Sequence, residues 1–152
     1  MIYLLEYKYL IIPFITSILC QCIKVLIETI KSKKFMLERL LDGMGGMPST
    51  HSTLVSSIST LVYINHGSNG ILFAITIFFS LIIIYDSMGI RYESSKMAKV
   101  VNNIASTNLR ERLGHKPVEC LVGVIFGIVV TSILNYIFSL RWLHLNFFVY
   151  FY

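Results

Sequence analysis

The sequence predicts an all-α fold, a polytopic bundle of membrane helices, and three observations indicate it. Of the 152 residues, 55% are apolar and the mean hydropathy is +0.71, which is high for a soluble domain. The apolar residues form four segments, and most of these reach the roughly 20 residues that a helix needs to cross a bilayer. No linker or fixed-period repeat divides the chain, so residues 1–152 are predicted to form a single domain.

The four predicted spans follow one another, with one amphipathic segment before the last. They cover roughly residues 9–30, 52–65, 70–90 and 118–140. The second is too short to cross a membrane alone, so we expect its start to lie below the membrane surface, buried against its neighbours. Between Arg91 and Leu109, apolar residues recur at helical spacing. This predicts an interfacial helix on the membrane surface, and a lid over a site is the alternative.

The uneven distribution of basic residues predicts an orientation in the membrane. Most of the 13 Lys and Arg lie in two loops, one after the first span and one before the fourth. Four spans put both loops on the same side, which the positive-inside rule makes cytoplasmic. We therefore expect an integral protein of the cell membrane whose basic loops face the cytoplasm, although phosphate binding would also explain this charge. The lipid bilayer is the predicted partner, and no nucleic acid is expected.

Residues 45–53, Gly-Gly-Met-Pro-Ser-Thr-His-Ser-Thr, are the most informative stretch. The two glycines permit a sharp turn, and Pro48 fits the first turn of a helix. An apolar run follows at once, so His51 is expected near the start of a buried helix, where free backbone N–H groups attract phosphate. The alternative is that His51, Ser49 or Ser52 simply caps this helix without any ligand.

A second motif, Leu-Gly-His-Lys-Pro-Val-Glu, occupies residues 113–119, directly before the fourth span. His115 and Glu119 are four residues apart and would share one face of a helix. A carboxylate that binds one ring nitrogen leaves the other nitrogen basic and directed, as a nucleophile toward phosphorus requires. The alternative is a structural pair at the membrane interface. Lys24 and Lys31 fall on the same side, two helical turns apart, although Lys24 could instead extend toward the headgroups.

Three stretches resemble one known family. Residues 45–52, 86–91 and 113–119 resemble the divergent branch of the type 2 phosphatidic acid phosphatases, which are related to the vanadium-dependent haloperoxidases. The resemblance extends over nearly the whole chain. The first and third stretches are specific in combination, although each alone would be weak.

The resemblance implies a hydrolase that works through a phosphohistidine intermediate. His115 would attack phosphorus, Glu119 would orient it, and His51 would protonate the leaving alkoxide. The implied phosphate-binding residues are Ser49, Lys24 and Lys31, together with Arg110 and Arg112. No metal and no cofactor are expected, because basic side chains and backbone N–H dipoles stabilise the transition-state charge.

The chain departs from the family's pattern where phosphate would be held. No Arg-Pro pair follows Lys24, and Leu109 stands where an arginine is expected, with Arg110 and Arg112 near it but out of register. A lysine cannot make the two-pronged contact that an arginine offers a phosphate. Haloperoxidase activity is disfavoured for this reason.

Two hypotheses of function follow. The first is an enzyme, an integral membrane phosphatase that hydrolyses a phosphorylated lipid or another phosphomonoester or diphosphate. The second is a non-catalytic membrane protein that binds anionic lipid or a partner through a degenerate phosphatase site.

Two further patterns concern packing. Gly123 and Gly127 have the Gly-x-x-x-Gly spacing that lets helices approach closely, either within the bundle or in a homodimer. Asp86 and Arg91 are expected to form an ordinary salt bridge at the end of the third span.

Overall fold

The computed structural model describes residues 7–33 and 45–151, and these ranges are helical with no strand. Their five helices are α1 (Lys8–Ser32), α2 (Thr50–His66), α3 (Ile71–Met88), α4 (Ile90–Ala105) and α5 (Pro117–Phe151). The all-α prediction is confirmed. The first six residues, the last residue and part of the first basic loop, residues 34–44, lie outside the described residues.

Three helices in the described ranges are long and apolar enough to cross a membrane. They are Lys8–Ser32, Ile71–Ala105 and Pro117–Leu140, the second of which runs through α3 into α4. Helix α2, with 17 residues, is not among them. Its first turns are the most deeply buried part of the bundle, as the sequence predicted for this short segment.

Helix α2 lies at the centre, and α1, α3 and α5 all pack against it. The closest approach is to α5, at its two spaced glycines. A Cβ atom on Gly123 would lie 2.5 Å from the carbonyl oxygen of Ser49, and one on Gly127 would lie 2.6 Å from that of Thr53. Both glycines therefore serve packing inside the bundle, the first of the two alternatives, and a homodimer stays a prediction that does not rest on them.

Helix α4 turns its apolar residues outward. Met97, Val100 and Ile104 are all more than half exposed, whereas Ser95 and Ala98 are buried. An outward apolar face is what a helix on a membrane surface requires, in agreement with the interfacial prediction. The inner face of α4 packs toward the segment that carries the second sequence motif.

Candidate active site

Two histidine rings lie edge to face where α2 and α5 begin. The ring centroids of His51 and His115 are 6.0 Å apart, and the ring planes meet at 68°. His51 is the second residue of α2, and His115 lies two residues before α5. The fold thus brings the two sequence motifs together at one end of the bundle.

Contacts on both sides hold His115 in place. Its Nδ1 and the Glu119 carboxylate are 3.1 Å apart, and the same carboxylate oxygen accepts the backbone N–H of Lys116 at 3.2 Å. The backbone N–H of His115 donates to the carbonyl of Ser87, at the end of α3, at 3.0 Å. A carboxylate at Nδ1 assigns the ring proton to that nitrogen and leaves a lone pair on Nε2. The predicted His115–Glu119 contact is present, although His115 itself precedes the helix.

Two buried ring nitrogens have no hydrogen-bond partner among the described residues. They are Nδ1 of His51 and Nε2 of His115. Nearly all buried polar atoms in proteins are paired, so an unpaired one needs an explanation. A polar ligand that reaches both nitrogens would satisfy both. The unpaired nitrogen of His115 is the one opposite Glu119, which is the nitrogen that the motif predicts to be nucleophilic.

Both histidines are held neutral at pH 7, and both lie outside the three candidate spans. Burial is the main cause that lowers the pKa of His115, with the Glu119 hydrogen bond and a weaker backbone interaction of Gly46 acting in the opposite direction. Burial also lowers the pKa of His51, and the nearby charges of Arg91, His115 and Lys24 lower it further. Neutral His115 can act as a nucleophile. An anion that entered the site would raise both pKa values.

Ser49 joins the two helix starts. Its hydroxyl caps α2 by accepting the backbone N–H of Ser52 at 3.4 Å and the Ser52 hydroxyl at 3.1 Å. Its own backbone N–H donates to the carbonyl of Glu119 at 3.0 Å. The cap is therefore Ser49 and not His51. The sequence expectation for Pro48 is wrong, because Pro48 precedes this cap and lies outside the first turn of α2.

Lys24 points into the protein. It is 2% exposed, and its Nζ donates to the hydroxyl of Thr50 at 3.0 Å, in the first turn of α2. Thr50 donates in turn to the side-chain oxygen of Gln21 at 3.2 Å. The alternative that Lys24 extends toward the headgroups is therefore wrong. Its positive charge lies close enough to lower the pKa of both histidines.

Two open cavities flank the Gly45–Gly46 turn, with volumes of about 670 and 470 Å³. Both are lined by Gly46, Arg112, Lys116 and Glu119. Lys31 lines the larger cavity, so two of the predicted basic residues, Lys31 and Arg112, reach this end of the bundle. Arg110 is exposed and lines neither cavity.

Gly46 has a positive φ of +85°, a backbone conformation that favours glycine, and this explains why the first motif has a glycine at this position. A side chain at this position would also meet the Glu28 carboxylate, 2.7 Å from an added Cβ atom. The positive φ and this contact both favour glycine at position 46, where the turn lies close to the Glu28 side chain on α1.

Two supports of the site were not identified from the sequence. The Ser95 hydroxyl, on α4, accepts the backbone N–H groups of Leu113 and Gly114 at 2.9 and 3.1 Å. A Cβ atom on Gly114 would lie 2.3 Å from the backbone nitrogen of Tyr92, so this segment lies directly on the first turn of α4. No local spacing rule relates these positions, since the contact joins distant parts of the chain.

The pair of Asp86 and Arg91 is present as the sequence predicted. The Nε of Arg91 donates to the Asp86 carboxylate at 2.6 Å. The pair also has an effect beyond α3 and α4, since the charges of both residues act on the pKa of His51, in opposite directions.

Comparison with known proteins gives one family and one relative. A family model described as "Divergent PAP2 family" matches residues 5–130. A membrane protein of Bacillus subtilis (strain 168), YuiD, is 34% identical over 142 residues, which cover 80% of this chain and 89% of that protein. No solved structure is significantly similar to the chain.

Proposed function

The chain belongs to the divergent PAP2 family, and from this premise we propose that it is an integral membrane phosphatase that hydrolyses a phosphorylated lipid through a phosphohistidine intermediate. One observation carries the proposal, the two buried and unpaired nitrogens of adjacent histidine rings. A phosphoryl group between them would meet a nucleophile on one side and a proton donor on the other.

The first half of the reaction transfers the phosphoryl group to the protein. The lone pair on Nε2 of His115 attacks phosphorus, an N–P bond forms, and the P–O bond to the alcohol breaks. Glu119 stabilises the positive charge that develops on the ring. The arriving phosphate raises the pKa of His51, so that His51 carries a proton and gives it to the leaving alkoxide.

The second half returns the protein to its starting state. His51, now neutral, takes a proton from water, and the water oxygen attacks phosphorus. The N–P bond breaks and His115 recovers its lone pair. When inorganic phosphate leaves, the pKa of His51 falls again and His51 releases its proton to solvent, so both rings are neutral as at the start. Lys24 and the backbone N–H groups at the start of α2 would stabilise the phosphate charge, so the mechanism requires no metal ion.

A groove beside the site supports a lipid substrate over a soluble phosphate. It has a volume of about 600 Å³ and lies between α2, α3 and α5. Its Ser and Thr hydroxyls all donate to backbone carbonyls about one turn earlier: those of Ser56, Ser59, Thr60, Ser80 and Ser132. The groove therefore offers a largely apolar surface, which suits a hydrocarbon chain. Ser56 lies five residues after His51, about 7.5 Å along the helix.

We further propose that the site faces the cytoplasm, as the basic loops indicate. A cysteine introduced at position 33, in a protein whose exposed Cys22 is replaced by serine and whose Cys20 and Cys120 are buried, tests this orientation. We expect a membrane-impermeant maleimide to label Lys33→Cys only after the cells are opened. Labelling in intact cells would contradict the orientation.

A non-catalytic anion-binding protein is the second candidate. The absence of an Arg-Pro pair after Lys24 and the presence of Leu109 where the family has an arginine favour it. The same histidines and Lys24 would then bind the phosphate of an anionic lipid without transferring it.

Phosphate release by detergent-purified protein tests the proposal. We would offer phosphatidic acid, phosphatidylglycerophosphate and a polyprenyl diphosphate, with p-nitrophenyl phosphate as the soluble comparison. His115→Asn and His51→Asn should each abolish release. His66→Asn is the matched control, because His66 lies at the other end of α2, where its ring stacks on Tyr9. Equal release by wild type and His115→Asn would contradict the mechanism, and phosphate binding without release would favour the second candidate.

A further inference from the structure

We propose that Arg91 binds the substrate phosphate through its two terminal Nη groups, while Asp86 holds the guanidinium in position. The proposal rests on the proposed function and adds a catalytic residue and a positioning residue to the site. Sequence reasoning favoured a structural role for this pair over a catalytic one.

The backbone places Arg91 beside the nucleophile. Gly114, the residue before His115, lies against the first turn of α4, and a Cβ atom there would be 2.7 Å from the carbonyl carbon of Arg91. The N–H of His115 donates to the carbonyl of Ser87, one turn before Arg91 in the chain. The chain leaves helical geometry at Gly89, with φ −94° and ψ −98°, so α4 begins there as a separate helix.

The guanidinium of Arg91 is bound to Asp86 at its Nε edge and is available to a ligand at its Nη edge. Its Nε contacts Asp86 at 2.6 Å, and no other partner for the guanidinium is found within the described ranges. The two Nη groups, with four N–H donors, are thus available to a ligand. The side chain is 44% exposed, so a ligand can reach it. A fork of this kind makes two parallel hydrogen bonds to a phosphate.

The charged groups that act on His51 support a position of Arg91 near this ring. Groups from every neighbouring element act on its ring: Lys24 from α1, Asp86 from α3, Arg91 from α4 and His115 before α5. Among the charged groups, Arg91 lowers the pKa of His51 most. The positive charge of Arg91 therefore acts on the ring that would meet the phosphate.

Phosphate binding by Arg91 compensates for an arginine that the sequence lacks. Leu109 occupies the position where the resembled family has an arginine, and the buried cation Lys24 cannot form a fork. Arg91 comes from a different helix, and its charge acts on the pKa of His51. Because Asp86 binds Nε and not the Nη edge, the ion pair can stay intact when phosphate binds.

Binding of orthovanadate, a phosphate analogue, tests the role without requiring turnover. Calorimetric titration of the detergent-purified full chain would compare wild type with Arg91→Gln, Arg91→Lys and Asp86→Asn. We expect Arg91→Gln to weaken binding about 10- to 100-fold, the effect of losing a charge-assisted bidentate contact. Arg91→Lys keeps the charge and should give a smaller loss, and Asp86→Asn a smaller loss again. Lys8→Gln removes one positive charge at the opposite end of the bundle and should bind as wild type does.

A second measurement separates binding from mere support of the fold. In ¹³C-histidine NMR spectra, the pKa of His51 should rise in Arg91→Gln and stay near its wild-type value in Arg91→Lys. Wild-type vanadate affinity in both Arg91 variants, an unchanged His51 pKa in Arg91→Gln, or no vanadate binding by the wild type would each overturn the proposal. Arg91-dependent vanadate binding in a protein that releases no phosphate would uphold it while the proposed function failed.

Discussion

A methyl group added at Gly123 would push α2 and α5 apart at the level of the two histidines. The new Cβ atom of Gly123→Ala would lie 2.5 Å from the carbonyl oxygen of Ser49 and 3.1 Å from the Cβ atom of Ser52. These atoms flank His51 in the chain. Cβ contacts below 3.0 Å are essentially never seen and ordinary contacts begin at 3.4 Å, so the helix start must move by about 0.5–0.9 Å.

The atom in the way belongs to the backbone, which cannot turn aside as a flexible side chain would. Overpacking of this kind costs about 1–3 kcal/mol of unfolding free energy. The shift would also strain the hydrogen bond from Ser49 to the Glu119 carbonyl, which joins the two helix starts. We therefore expect both a lower melting temperature and weaker vanadate binding.

Thermal unfolding in detergent and vanadate titration measure the two effects. Gly70→Ala is the matched control, because an added Cβ atom there meets nothing within 4 Å and the backbone φ of Gly70 is −99°. Its melting temperature and vanadate affinity should match the wild type. If Gly123→Ala behaved in the same way as this control, the close packing of the two helix starts would not hold the site.

Three further predictions concern the charges in the site. Glu119→Gln should lower kcat about 100- to 10,000-fold in a phosphate-release assay, because the ring of His115 loses its orienting charge; a loss below 10-fold would contradict that role. Burial depresses the pKa of His51 and His115, so the unfolded chain binds more protons than the folded one below pH 6.5. The melting temperature should therefore fall as the pH drops through that range, and it should fall less in His51→Asn. If the melting temperature of His51→Asn depended on pH as that of the wild type does, His51 would not be a cause of this dependence. Lys24→Met should raise the pKa of both histidines in NMR titrations and weaken vanadate binding, and a vanadate affinity equal to that of the wild type would remove Lys24 from the site.

Local patterns in the sequence predicted much of the fold. The expected first span, roughly residues 9–30, is the helix Lys8–Ser32, and the short second segment is the buried helix Thr50–His66. Both follow from the length and position of apolar runs, which are local properties. The contact of His115 with Glu119 was predictable for the same reason, since four residues separate them.

Contacts between distant segments could not be predicted from spacing. The hydrogen bonds of Ser95 to the 113–114 backbone, and the link from Ser49 to Glu119, depend on how three helices pack. The effect of Arg91 on the pKa of His51 also depends on how the helices pack. The Gly-x-x-x-Gly spacing indicated a close helix contact but not the partner, which the fold identifies as α2.

Trapping the covalent intermediate tests the central claim most directly. Purified protein would be mixed with phosphatidic acid labelled with ³²P in its phosphate, quenched in alkali and digested for mass spectrometry. We predict a label that is stable in alkali, lost in acid, located on His115 and absent from His115→Asn. No label on the wild-type protein, or the same label on His115→Asn, would contradict the phosphohistidine mechanism.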